Sequence, residues 1–164
     1  MSSTDRAWTL VEQVCDPEIP TVSVVDLGIV RDIIVNESGT GVSAIITPTY
    51  SGCPAMELIE REIGAALQRE FADVEVRTTL SPAWTTEWIT SRGHERLRDA
   101  GIAPPSHSER VANPIALVNA SPSPACPRCD SADVERISRF GSTACKALWR
   151  CRTCREPFDQ FKPL

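Results

Sequence analysis

Apolar positions recur every three or four residues in two stretches of the first half of the chain. The first is TDRAWTLVEQV, residues 4–14, where Thr4 is a candidate helix cap and Asp5 suits the first turn. The second is CPAMELIEREIGAALQREF, residues 53–71, whose apolar positions define one helical face. These spacings predict two amphipathic helices. The positions that define the two faces are Trp8, Val11 and Val14, and then Met56, Ile59, Ile63 and Leu67.

Other stretches have the composition of strands. Residues 23–35 and 41–49 are rich in valine and isoleucine, and the turn-forming segment NESGTG lies between them, which predicts a hairpin. VEVRTTL alternates apolar and polar residues and predicts a third strand. Residues 85–101 are helix-like, with Gly93 as a weak point and Gly101 as the end. The order helix, hairpin, helix, strand, helix predicts a small α+β domain.

Charge and proline content change in the last third of the chain. Residues 1–119 contain 9 Lys or Arg against 17 Asp or Glu, a net charge of −8, whereas residues 120–164 contain 8 against 5, a net charge of +3. Five prolines between residues 101 and 125 favour extended backbone over continuous helix. We therefore expect three parts: an α+β domain at 1–103, a proline-rich linker at 104–124 and a cysteine-rich module at 125–164.

The cysteine-rich module has the spacing of a zinc ribbon. Two CxxC pairs are separated by 21 residues, so each turn offers two thiolates and the intervening chain can form a hairpin that brings the turns together. Structural zinc is the first interpretation, ahead of a redox pair or disulfides. Iron or a cluster remains an alternative, because four thiolates hold these as well. The four candidate ligands are Cys126, Cys129, Cys151 and Cys154.

The remaining features of the sequence favour a soluble cytoplasmic protein. The amino terminus lacks a signal-peptide pattern, no stretch is long and apolar enough to cross a bilayer, and metal-type cysteine pairs suit a reducing compartment. The only histidines, His94 and His107, are expected to be solvated, so no histidine-based catalytic or metal triad is available.

Cys53 lies in TPTYSGCPAM, between a hydroxyl-rich turn and the second predicted helix. Pro54 suits the first helical position, which would place Cys53 at the helix cap, where backbone NH groups favour a thiolate. Such a thiolate can bind a soft metal or attack an electrophile. Strand alternation would place Thr47 and Thr49 on one side. The alternative is that Cys53 is a small packing residue and the threonines are ordinary strand formers; Cys15 is expected to be a packing residue.

The ribbon also contains an unpaired cysteine and several cations. Cys145 is expected to be a strand residue, with proximity to the metal site or a dimer contact as the alternative. The cations near Trp149 could indicate nucleic-acid binding, but the net charge of the whole chain argues against it and favours an acidic protein partner or the chain's own acidic domain. These cations are Lys146, Arg150, Arg152 and Arg155.

VCDPEIPTVSVVDLGIV followed by TPTYSGCPAM resembles the signature of the iron–sulfur assembly domain of SufT-like and PaaD-like proteins, over roughly the first hundred residues. SPAWTTEWI, GIAPP, FGSTACKALWRCRTC and EPFDQFK extend the resemblance to PaaD-like proteins of phenylacetate degradation, over nearly the whole chain. That family is grouped with the multicomponent epoxidase that acts on phenylacetyl-CoA. The resemblance implies a role in maturing its metal centres rather than in the oxygenation. It also implies a functional site composed of Asp16, Glu18, Asp26, Thr47, Thr49 and Cys53.

Three functions follow from these observations. The first is a non-catalytic maturation factor that holds iron or an iron–sulfur cluster transiently through Cys53. Its partners would be the oxygenase or reductase components, iron–sulfur assembly proteins, or a second copy of the chain. The second is a thiol enzyme with Cys53 as nucleophile and Asp16, Glu18 or Asp26 as base, which the lack of a nearby histidine weakens. The third is a nucleic-acid-binding zinc ribbon, against which the charge argues.

Overall fold

A computed structural model of the chain describes residues 1–105 and 123–162. They belong to two compact units, Met1–Gly93 and His94–Leu164. Most of the predicted linker at 104–124, together with His107, lies outside the described residues, and the three-part division drawn from the sequence stays a prediction. No helix in the described ranges is both long and apolar enough to cross a membrane.

Helix α1, Ser3–Glu12, opens the first unit. Its cap is Ser2 rather than the predicted Thr4: the amide of Asp5 donates to the Ser2 hydroxyl at 3.1 Å, and the amide of Ser2 donates to the Asp5 carboxylate at 2.8 Å. The predicted apolar face is correct at Val11 and Val14, whereas Trp8 is only partly buried. The helix also buries Ala7 and Leu10.

A short antiparallel hairpin that the sequence did not predict follows α1. Strand β1, Cys15–Asp16, pairs with β2, Ile19–Ser23. The two prolines of DPEIPT favour a turn or loop interpretation, yet one Asp side chain suffices to close the hairpin. The Asp16 carboxylate accepts the amides of Glu18 and Ile19 at 2.8 and 2.9 Å.

The sheet of the first unit has three strands in the order β3-β4-β5. The predicted hairpin is confirmed as β3, Val30–Val35, antiparallel to β4, Gly41–Ile46, and the first part of the segment predicted for its first strand is a turn. Strand β5, Asp73–Thr78, pairs with β4 in parallel, so helix α2, Met56–Leu67, forms the crossover between them. The helices pack against the sheet over a core of large aliphatic side chains. Those fully buried in this unit include Val11, Val22, Val24, Leu27, Ile29, Ile46, Ile59, Ile63 and Leu67.

Residues 85–101 form two short helices rather than one. A 3-10 turn, Thr86–Trp88, is followed by helix α3, Ser91–Asp99. Gly93 lies inside α3 and is not a weak point: a Cβ at this position would come within 2.5 Å of the Asp26 carbonyl oxygen, so glycine permits the close approach of the two backbones. Gly101, at a φ of +76°, ends the segment as predicted.

The second unit contains a four-stranded sheet in the order β6-β9-β8-β7. Strands β7 (Val134–Ser138), β8 (Lys146–Cys151) and β9 (Pro157–Phe161) run antiparallel, and β6 (Ile102–Ala103) runs parallel to β9. The hairpin predicted between the two CxxC pairs is confirmed as β7 and β8. The core of this sheet is small and includes two of the paired cysteines: Ala103, Cys126, Ala147, Trp149, Cys151 and Phe158.

Candidate functional site

The four cysteines of the two CxxC pairs converge at one point. The Sγ atoms of Cys126 and Cys154 lie 3.7 Å apart, those of Cys129 and Cys151 lie 3.6 Å apart, and all four lie within 4.8 Å of one another. Four sulfurs at about 2.3 Å from a tetrahedral ion would be about 3.8 Å apart. The geometry therefore fits one tetrahedral metal ion, as the spacing predicted.

The protonation of these thiols also favours a bound cation. The backbone amide of Cys154 and other hydrogen bonds lower the pKa of Cys151 to about 6, against the effect of burial. The amide of Ser131 favours a thiolate at Cys129, but burial and the neighbouring sulfurs raise its pKa to about 12. Without a metal, four crowded sulfurs cannot all be thiolates at neutral pH, whereas a divalent cation removes that repulsion.

Each CxxC turn ends in a residue with left-handed backbone. Asp130 follows the first pair at a φ of 59°, and Arg155 follows the second at 68°. The amide of Asp130 donates to the Cys126 carbonyl at 2.9 Å, closing the first turn. Glycine adopts this conformation without strain, and a side chain here costs free energy. The turns thus keep a metal-binding geometry although neither contains the glycine that would favour it.

Cys53 does not lie at the cap of α2. The cap is Ala55, and Cys53 and Pro54 precede it in a tight turn in which the Cys53 amide donates to the Tyr50 carbonyl at 3.2 Å. The sequence argument failed because Pro54 belongs to this turn and not to the first helical position. The Cys53 carbonyl then accepts the amide of Met56 at 3.3 Å, which connects the turn to the helix.

The expected low pKa of Cys53 is also wrong. Burial raises the pKa of this half-buried thiol, and the negative charges of Asp16 and Glu18 raise it further. Two hydrogen bonds act in the opposite direction, one from the backbone of Ala55 and one from the Tyr50 side chain. Cys53 is therefore a protonated thiol at neutral pH, and a positive charge placed near it would favour the thiolate.

The structure brings two of the predicted acidic residues to this thiol. Asp16 and Glu18 lie close enough for their charges to act on Cys53. Asp16 also holds the β1–β2 turn through the two amides that its carboxylate accepts. Tyr50, the only tyrosine of the chain, was not selected from the sequence although it lies in the same motif. Its uniqueness and its position three residues before the thiol were the available signals.

Asp26 has a different environment. Its buried carboxylate accepts the Arg92 guanidinium Nε at 2.9 and 3.0 Å and the Thr90 hydroxyl at 2.8 Å, and Arg92 also contacts Glu12. Asp26 is not among the charges that shift the pKa of Cys53. These contacts connect the start of α3 to the turn after β2. A chemical role for Asp26 stays a prediction, and its contacts are those of a buried structural carboxylate.

Thr47 and Thr49 lie beyond the end of β4 at Ile46, so strand alternation does not determine their directions. Thr47 is 1% exposed, and its hydroxyl has no hydrogen-bond partner within the described part of the chain. Thr49 is partly buried. A contribution of either hydroxyl to a functional site stays a prediction.

Cys53 and its acidic neighbours, Asp16 and Glu18, do not form a preformed metal site. Over residues 1–105 and 123–162, the ribbon cysteines are the only group of three or more His, Cys, Asp or Glu side chains that lie close enough together for one ion. Any ion held by Cys53 and its acidic neighbours would need movement of the turn or ligands from another molecule.

The remaining cysteines and cations have ordinary surroundings. Cys15 is half-exposed and lines a groove of about 430 Å³ between α1 and α2. Cys145 lies in the turn before β8 rather than in a strand, is buried beside Thr143 and is not a member of the four-cysteine group. The predicted basic stripe is wrong in part, because Lys146 is 4% exposed. Arg152 is exposed and paired with Glu135 and Asp133.

Two family models match successive parts of the chain. Residues 4–78 match the model described as iron-sulfur cluster assembly protein, and residues 111–162 match the PaaD zinc beta ribbon domain. The first match contains the whole of the Cys53 turn and its acidic neighbours. The second contains all four ribbon cysteines.

Similar proteins agree with these matches. The chain is 49% identical over 157 residues to an Escherichia coli (strain K12) protein named as a putative subunit of 1,2-phenylacetyl-CoA epoxidase, and the match covers 94% of this chain and 90% of that protein. A crystal structure of a DUF59 domain from Bacillus anthracis is 26% identical, with a TM-score of 0.54 over 58% of this chain and 91% of that chain. That structural match supports the α+β fold of the first unit.

Proposed function

The chain belongs to the PaaD family, in which its Escherichia coli relative is named as an epoxidase component, and we propose that it is a non-catalytic maturation factor of phenylacetyl-CoA epoxidase. In this proposal it handles iron or an iron–sulfur cluster as cargo in its first unit. The family relationship supports an association with the epoxidase, and the match of residues 4–78 to iron–sulfur cluster assembly proteins supports the role in maturation.

The observation that carries the proposal is the surroundings of Cys53. A half-buried thiol lies beside the charges of Asp16 and Glu18 and accepts a hydrogen bond from Tyr50. Thiolate and carboxylate are both iron ligands, and approach of a cation would oppose the burial and the acidic charges that raise the pKa of this thiol. A site that binds metal weakly by itself and more strongly with a partner's ligands suits transfer better than storage.

The ribbon has a structural role in this proposal. Cys126, Cys129, Cys151 and Cys154 would hold one zinc ion, which supplies folding free energy to a unit with a small core. Complete ligation by four thiolates leaves no open position for a substrate, so this metal is not expected to take part in a reaction.

The partners we propose are protein components of the epoxidase or of iron–sulfur assembly. Net charge differs between the acidic first part and the basic ribbon, which favours contacts with proteins of complementary charge. We place the protein in the cytoplasm, because seven free cysteines and a thiolate-bound metal suit a reducing compartment.

Two alternatives receive less support. A thiol enzyme needs an activated nucleophile, yet burial and the acidic neighbours raise the pKa of Cys53. A nucleic-acid-binding ribbon needs free cations, but Lys146 is buried and Arg152 is paired with two carboxylates. Neither arrangement favours those functions.

The test is metal content of the epoxidase components in a host that lacks its own copy of this gene. Wild-type protein should restore iron, and acid-labile sulfide where a component holds a cluster, whereas Cys53→Ser should leave both at the level of the deletion strain. Cys145→Ser is the control, because it removes one thiol that is neither Cys53 nor a member of the four-cysteine group and should restore normal metal. Equal amounts of epoxidase protein in all strains would exclude an effect on expression. Full restoration by Cys53→Ser would refute the proposal.

A further inference from the structure

Strand β5 forms one edge of the three-stranded sheet in the first unit. Its six residues, Asp73–Thr78, pair with β4 on one side, and over residues 1–105 and 123–162 no strand pairs with its other side. An edge of this length presents backbone NH and carbonyl groups that another strand can pair with. Four of its residues, Asp73, Glu75, Arg77 and Thr78, are exposed.

The side chains of β5 alternate between two faces. A Cβ on Gly64 of α2 would come within 3.9 Å of a Val76 methyl group, so Val76 faces the helices. Because neighbouring residues of a strand point to opposite faces, Glu75 and Arg77 project from the face opposite α2. Their side chains are 55% and 64% exposed and form an ion pair at 2.7 Å. The centre of the edge is thus an apolar residue between an acid and a base.

We propose that β5 pairs with β5 of a second copy of this chain in antiparallel orientation, with the two-fold axis at Val76. Residues that lie opposite each other across this axis are equally far from Val76 along the strand. Glu75 of each chain therefore lies directly opposite Arg77 of the other. The two sheets would join into one sheet of six strands with helix α2 of both copies on the same face.

The charges determine this register. A two-fold axis at Glu75 or Arg77 would place one of these charged residues opposite its own copy, and an axis at Val74 would place Asp73 opposite Glu75. Like charges directly opposite each other are destabilising in a sheet. Among the two-fold axes centred on residues of β5, only the one at Val76 places Glu75 opposite Arg77, and Asp73 then lies opposite the neutral Thr79.

The resulting four charges form an alternating square. Each Glu75 would have Arg77 beside it on its own strand and another Arg77 across the interface, and each arginine would likewise have two acidic neighbours. Charges on an edge strand usually prevent pairing between sheets. Here Glu75 of one copy meets Arg77 of the other in the proposed register. The same two charges therefore attract a second copy in this register and repel it in the registers that bring like charges together.

The test uses the full-length protein and two single charge reversals. Light scattering and sedimentation should show the wild-type mass approaching twice 18.0 kDa as concentration rises. Arg77→Glu makes the four-charge centre entirely acidic and Glu75→Arg makes it entirely basic, so each variant should dissociate with a constant at least about tenfold higher. Mixed in equal amounts, the two variants should restore a dimer, because an acidic strand then faces a basic one.

The mixing step separates pairing at β5 from damage to the fold, since unfolded variants would not restore a dimer. Arg6→Glu is the matched control: it reverses one charge of another exposed ion pair in the same unit, with Glu70, and should dimerise like wild type. A wild-type mass that stays at 18.0 kDa up to about 1 mM would overturn the proposal. So would single variants that dimerise like wild type, or a mixture that stays monomeric.

Discussion

The two units of this chain bury very different side chains. The first packs α1 and α2 against its sheet over large aliphatic residues such as Ile46, Ile59 and Ile63, all at or near zero exposure. Over the residues that the structure describes, the main core cluster of the ribbon has six buried members, two of which are Cys126 and Cys151. Apolar burial stabilises the first unit, whereas the described part of the second has a small apolar core, to which a metal ion held by its four cysteines would add stability.

The cysteines of the two units differ in the same way. Four thiols of the ribbon converge with sulfur distances of 3.6 and 3.7 Å, and their environment is complete within one chain. Cys53 belongs to no group of three or more potential metal ligands within the described residues, and its pKa is raised by burial and by acidic neighbours. We interpret the converging thiols as structural, and we propose that the thiol beside carboxylates is the one that binds a ligand.

The largest expected effect is on the ribbon. Cys129→Ser removes one of four thiolates and should abolish tight metal binding, which contributes about 10–16 kcal/mol in small zinc domains. We expect loss of the near-ultraviolet signal of Trp149 and of stoichiometric zinc, while the far-ultraviolet signal of the first unit persists. Cys145→Ser, which removes a thiol outside the metal group, should keep its zinc. Simultaneous unfolding of both units would contradict the contrast.

A core substitution in the first unit should produce the reverse pattern. Ile63 is fully buried in α2, so Ile63→Ala should lower the free energy of unfolding of this unit by about 2–5 kcal/mol. Zinc content and the chelator concentration that removes the metal should not change. Denaturation with and without a chelator distinguishes the stability that metal binding gives the ribbon from the stability that apolar burial gives the first unit. If Ile63→Ala released zinc, stability would not divide between the units as described.

A smaller effect is expected at the second CxxC turn. Arg155 has a φ of 68°, a conformation that costs a residue with a side chain about 1–2 kcal/mol. Glycine avoids this strain but loses more backbone entropy on folding, which offsets part of the gain. Arg155→Gly should therefore stabilise the metal-bound ribbon by about 0.5–1 kcal/mol. Arg128→Gly, at a residue inside the first CxxC turn, should bring no such gain. Equal effects of both changes would show that backbone conformation is not the cause.

The smallest change concerns the reactivity of Cys53. Burial raises its pKa above the ordinary value of 9.0, so its alkylation should be slow at neutral pH and increase as the pH rises through that pKa. Asp16→Asn removes one of the charges that raise the pKa and keeps the oxygen that accepts the turn amides. Alkylation at neutral pH should become faster, as measured by mass spectrometry of the labelled peptide. An unchanged rate would mean that Asp16 does not act on the thiol.

The sequence predicted features that depend on local spacing. The ribbon ligands, the β3–β4 hairpin and the apolar face of α2 each follow from periodicity or from paired cysteines. It failed where a contact joins distant residues: Arg92 and Thr90 bind Asp26, and Trp84 donates its indole NH to the Leu27 carbonyl at 3.0 Å. The pKa of Cys53 was mispredicted for the same reason, because it depends on burial and on charges far earlier in the chain.

Metal analysis of anaerobically purified protein, before and after incubation with ferrous iron and sulfide, tests the contrast between the two kinds of thiol site most directly. The wild type and Cys53→Ser should both contain about one zinc per chain, bound in the tetrahedral ribbon site, and Cys129→Ser should contain none. Iron and acid-labile sulfide gained on incubation should be bound by the wild type and lost in Cys53→Ser. Iron that occupies the four-cysteine site in place of zinc, or that binds equally without the Cys53 thiol, would contradict the account.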